Sequence, residues 1–156
     1  MDKYFFVLLL LAYSNSISQN VLQINLIHRF SPSVQLEIQK LDSVYVSAVH
    51  VDKNQCAFPD KGDTVLACWK IFLQNISDTL KKKNYIWQNE TKIFLRSYFN
   101  ENGNIDYLMY NTRDTSFVRQ KEFEDALQNF ASSYNFGLKC DKKYVQCGNV
   151  IFGRKK

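Results

Sequence analysis

Two histidines and four cysteines are the residues of this chain best suited to chemistry. His28 and His50 could act as general acid and general base, with a lysine stabilising an anion. That is the apparatus of a small basic hydrolase that cleaves RNA phosphodiesters. The sequence does not fix one histidine relative to the other, because each belongs to an alternating run, "VLQINLIHRF" and "VYVSAVHV". The plainer assignment is two strand or strand-end histidines satisfied by solvent or backbone. Cys56, Cys68, Cys140 and Cys147 make an even set, which in an exported chain points to two disulfides. Pairing of neighbours, Cys56–Cys68 and Cys140–Cys147, is the preferred connectivity. Zinc is disfavoured, since the spacings contain no C-x-x-C knuckle. There is no G-x-S-x-G elbow, no H-E-x-x-H and no P-loop. Asp60/Asp63 and Glu122/Asp125 fall in a loop and on a polar helix face, where carboxylates serve solubility. No catalytic residue, metal ligand or cofactor is assigned, and the chain is expected not to be an enzyme.

The N-terminus bears on the redox compartment. Asp2 and Lys3 precede an apolar run, Tyr4 to Tyr13, and Ser16 and Ser18 give the small-x-small pattern of a cleavage site before Gln19. The apolar run is about half the ~20 residues of a spanning helix. Residues 1–18 are therefore expected to be a signal peptide, and the product a secreted or periplasmic protein without a stable membrane span. Left uncleaved, the same run would be an anchor. Removal takes Lys3 and Asp2 together, so the net charge of +5 is unchanged. The basic excess gathers at Lys81-Lys82-Lys83 and Arg154-Lys155-Lys156, without interleaved aromatics, so nucleic acid is not the expected partner.

The remaining chain is 46% hydrophobic, enough for one packed core. A β-rich segment, 19–62, comes first. Leu22, Ile24 and Leu26 alternate with polar residues, which predicts a strand within Val21–Phe30. Residues 31–42 read both ways: Val34, Ile38 and Leu41 have helical spacing, while Val34, Leu36 and Ile38 alternate. Ser43–Val51 is β-branched and reads as strand. From Asp63 the pattern sharpens. Asp63 or Thr64 can cap a helix over about Val65–Lys82, with Val65, Trp69, Phe72, Ile76 and Leu80 as its apolar stripe. The lysines that follow suit the negative end of that helix. Thr91–Phe99 and Ile105–Tyr110 are strands, and "NENGN" between them is a hairpin turn with a small bulge expected at Gly103. Phe123, Ala126, Leu127, Phe130, Ala131 and Tyr134 predict a second helix that ends near Gly137. A last strand lies in Tyr144–Phe152. Trp69, Phe72 and Trp87 read as core. Those of Phe94, Tyr98, Tyr107 and Tyr110 on the open face of the hairpin are candidates for a docking patch.

The segments "ACWKIFLQNI", "IFLRSYFNENGNIDYLMY" and "EFEDALQNFASSYNFGLKCDKKYVQCGNVIF" set the order helix, strand, turn, strand, helix, strand over 63–156. This order resembles the C-terminal domain of TonB-type energy transducers and its stand-alone relatives. The family's Tyr-Pro pair before the first strand is replaced by Tyr85-Ile86, and its proline after the second helix is missing. Its transducers also carry a membrane anchor and a long spacer, which are not seen here. The resemblance therefore implies a fold rather than energy transduction. That fold is α+β: a small antiparallel sheet with two packed helices, preceded by extra N-terminal strands. In the family the closing strand borders a sheet edge. Tyr144, Val145, Val150, Ile151 and Phe152 are thus expected to bind another envelope or secreted protein by edge-strand addition.

Overall fold

The computed structural model describes residues 23–26, 32–112 and 119–153. In chain order its main elements are β1 (Gln23–Leu26), α1 (Pro32–Asp42), β2 (Val46–Ser47), α2 (Gly62–Lys82), β3 (Thr91–Phe99), β4 (Ile105–Thr112), α3 (Gln120–Ser133) and β5 (Tyr144–Phe152). The fold is α+β. One sheet has the order β1-β4-β3-β5-β2. Its inner ladders, β3 with β4 and β3 with β5, are antiparallel. The outer two are parallel, β1 on β4 and β2 on β5, so the sheet is mixed and not purely antiparallel as expected. Both strands of the 19–62 segment join this sheet.

Alternation divides the strands between two faces. Ile93, Leu95, Phe99, Leu108, Tyr110, Tyr144 and Phe152 point to the face covered by α2 and α3. The α2 stripe buries Val65, Trp69, Phe72, Ile76 and Leu80, and α3 buries Phe123, Ala126, Leu127, Phe130 and Ala131. The helix predicted from Val65 begins earlier, at Gly62, and neither Asp63 nor Thr64 caps it: Lys61 is the N-cap and gives no side-chain bond. Its far end closes on Asn84 in the left-handed region, with the Asn84 N–H donating to the Lys81 carbonyl at 2.9 Å. The opposite face carries Tyr98, Met109 and Val145, packed with Tyr45 under Ile38 and Leu41 of α1.

Residues 32–42 are thus helical. The pair Ile38 and Leu41, three apart, meets the sheet, while Leu36, which an alternating strand would have buried, is 52% exposed. Ser43–Val51 departs from its expected strand, for only Val46 and Ser47 pair. The Ser47 hydroxyl donates to the Val49 carbonyl at 2.6 Å, and the chain bends away. Such a local bond competes with a ladder whatever the β-branched content.

The "NENGN" turn is an anchor rather than a free tip. Asn100 Oδ1 accepts from the Asn102 and Asn104 N–H groups, and Gly103 is buried at φ +84. The carbonyls of Gly103 and Glu101 accept from the N–H groups of Phe136 and Cys140 at 2.8 and 3.0 Å. The turn therefore holds the chain that leads from α3 into β5. The bulge lies at Asp106 rather than at Gly103, since Phe99 pairs with Ile105 and Tyr98 with Tyr107.

Candidate functional site: the open rim of β5

Among the described residues the cysteines assemble no centre, and the histidine pair lies only partly within those residues. His28 lies outside the described residues. His50 is exposed, and its Nδ1 accepts the Asp52 N–H at 3.0 Å. All four cysteines are free, so neither expected disulfide is present. The Cys56 thiol turns back to the Lys53 carbonyl at 3.4 Å, while Cys68 sits on α2 against the core. Cys140 packs on the α2/α3 side and donates to the Ala57 carbonyl at 3.3 Å. Strand parity puts Cys147 on the other face of the sheet. Among the described residues no group of three or more His, Cys, Asp or Glu could hold a metal ion. No helix among them is long and apolar enough to cross a membrane.

Among the described residues the rim of β5 is paired over only part of its length, and the one side-chain bond to its outward backbone runs from Gln146 Nε2 to the Cys147 carbonyl at 3.2 Å. β2 lies on it only at its start, with Val46 opposite Tyr144 and Ser47 opposite Val145. The Val46 and Ala48 N–H groups donate to the carbonyls of Lys143 and Val145 at 3.0 and 2.8 Å. The Val145 carbonyl therefore points away from β3. In a ladder this direction alternates, so Cys147, Asn149 and Ile151 also turn their backbone groups outward. Beyond Val145 no described strand meets them. The same alternation sends the backbone groups of Tyr144, Val150 and Phe152 inward, opposite Phe99, Ile93 and Thr91.

Strand parity divides the expected edge set residue by residue. Val145 already carries β2, while Tyr144, Val150 and Phe152 face β3 with their backbone. Only Ile151 of that set lies on the open rim, 47% exposed, and Cys147 and Asn149 join it. The sequence placed a strand within Tyr144–Phe152 but could not say which parity faced out, because β2 arrives from a distant part of the chain. The aromatic docking patch is largely consumed by packing: Tyr98 and Tyr110 are buried, and Phe94 and Tyr107 are half-buried. Trp69 and Phe72 are buried as expected, whereas Trp87 is half-buried and stacks on Phe152 at 5.0 Å.

A groove of about 410 Å³ opens where β2 leaves the rim, between Asp42 at the end of α1, Tyr45, Arg96, Val145 and Cys147. Arg96 Nε donates to the Tyr98 hydroxyl at 2.7 Å, and its Nη2 pairs with Asp42 Oδ1. The Tyr98 hydroxyl donates to the same carboxylate oxygen at 3.0 Å. Burial pushes the Tyr98 phenol up to about 12, although the Arg96 guanidinium works against it. For Arg96, burial works downward, and its bonds to Asp42 and Tyr98 outweigh that, raising its pKa. On the other side of Tyr45, its hydroxyl donates to Asp106 Oδ2 at 2.8 Å, and Lys143 approaches that oxygen at 3.7 Å. The triad Asp42–Arg96–Tyr98 was not legible in the sequence, as its members come from α1 and β3, more than fifty residues apart.

Comparison with protein-family models, with curated proteins and with solved structures yields no match.

Proposed function

We propose that this is an exported, non-enzymatic interaction module, related in design to TonB C-terminal domains. It docks an extended segment of an envelope or secreted protein on β5. The observation that carries the reading is the outward turn of the Cys147, Asn149 and Ile151 backbone beyond the end of β2. Tyr144–Phe152 contains no charged residue and no proline, the devices by which exposed edges are usually guarded against an added strand. Backbone bonds along the rim would supply affinity, and side chains beside it would supply selectivity. The two-histidine hydrolase gains no such support, since no described residue lining the groove is a histidine. Selection from a random linear peptide library on the immobilised protein tests the reading. Binders should recur and be lost on Asn149→Pro, which removes one outward donor. An empty selection, or binders indifferent to that change, would overturn it.

A further inference from the structure

We infer that the segment accepted by this rim is acidic, with a carboxylate side chain at the position opposite Cys147. The inference rests on the edge-docking reading and names the chemistry of its ligand. β5 is uncharged, and β3 behind it contributes Lys92 and Arg96 but no acid. Both cations stand on the face that the rim shares with α1, Lys92 opposite Ile151 and Arg96 opposite Cys147. A strand added to β5 would lie about 10 Å from β3. Arg96 and the short Cys147 side chain line the 410 Å³ groove together, with Ser47 and Val49 at the end of β2 beside them. A guanidinium has five N–H donors. Nε serves Tyr98 and Nη2 serves Asp42, while Nη1 has no hydrogen-bond partner among the described residues. Asp42 and Tyr98 fix the guanidinium plane, so Arg96 can bridge Asp42 to an incoming carboxylate without first being ordered. The chain's net charge of +5 favours the same class of partner.

The test uses two fluorescein-labelled Thr/Val peptides, amidated at the C-terminus, that differ in one central residue, Glu or Gln. Fluorescence anisotropy on the full folded chain should give about fivefold tighter binding of the Glu peptide. That advantage should shrink as salt is raised and vanish in Arg96→Gln. Cys147→Glu changes an exposed residue and should keep the fold. It should weaken the Glu peptide more than the Gln peptide, which guards against the case where Arg96→Gln fails to fold. Equal binding of the two peptides, with both lost on Asn149→Pro, would overturn the acidic class and leave edge docking standing. Binding of neither peptide to the wild-type chain would overturn both.

Discussion

The Ala48 N–H donates to the Val145 carbonyl at 2.8 Å, and beyond that bond no described strand pairs with the rim of β5. One hydrogen bond thus sets the parity of the whole strand: odd residues face out and even residues face β3.

Neighbouring prolines on β5 should therefore behave oppositely. Val150→Pro removes a donor to β3 opposite Ile93 and leaves a buried acceptor unpaired. It should cost about 3 kcal/mol. Asn149→Pro removes a donor that faces outward and should change stability by less than about 1 kcal/mol. Urea unfolding of the two variants checks this, and equal losses would place the open parity wrongly.

Gly103→Ala should be poorly tolerated. A Cβ there would stand 2.7 Å from the Leu138 carbonyl oxygen, and φ is +84. Strain and contact together should cost about 2–3 kcal/mol. Thermal melting would read this as a lowered midpoint, whereas Gly62→Ala, with nothing within 4 Å of the added carbon, should melt near the wild type.

The Ser97 hydroxyl is buried without a hydrogen-bond partner among the described residues. Ser97→Ala removes a polar atom that nothing satisfies. Stability should stay level or rise by up to about 1 kcal/mol. A loss well beyond that on chemical unfolding would mean that the hydroxyl is bonded.

Elements with a local cause were legible in the sequence, and those with a distant cause were not. The α3 stripe from Phe123 to Ala131 follows from periodicity alone and is present as read, and the last strand, expected within Tyr144–Phe152, fills that range. The left-handed turn at Gly103 follows from the conformational freedom of its residues. Residues 31–42 could not be assigned, because Ile38 and Leu41 gain their meaning from Tyr98 and Met109 beneath them. β2 shrank to Val46–Ser47 because a side-chain bond, Ser47 to Val49, ends it. The disulfide expectation used spacing along the chain, but Cys140 and Cys147 are separated by the sheet itself. The groove was invisible for the same reason: Asp42 and Arg96 meet only once α1 lies on the sheet.

Alkaline titration should expose the buried phenols. Burial raises the pKa of Tyr45, Tyr110 and Tyr144, helped by Asp106 at Tyr45 and Glu124 at Tyr110, and Tyr98 is pushed up to about 12 from an ordinary 10.0. The folded state then holds protons that the unfolded state releases. The stability due to Tyr98 is full below pH 10 and is lost as pH rises from 10 towards 12. Tyrosinate absorbance of these groups should appear together with loss of circular dichroism. Their ionisation at an ordinary midpoint with the fold intact would contradict this packing.

Amide hydrogen exchange along β5, followed by NMR with and without the Glu peptide, reads the open rim itself. In the free protein the amides of Cys147, Asn149 and Ile151 should exchange fast, and those of Gly148 and Val150 slowly. Peptide should slow Asn149 and Ile151 and leave Val150 as it was. Slow exchange at Asn149 without peptide, or fast exchange there when peptide is saturating, would contradict an edge that waits for a strand.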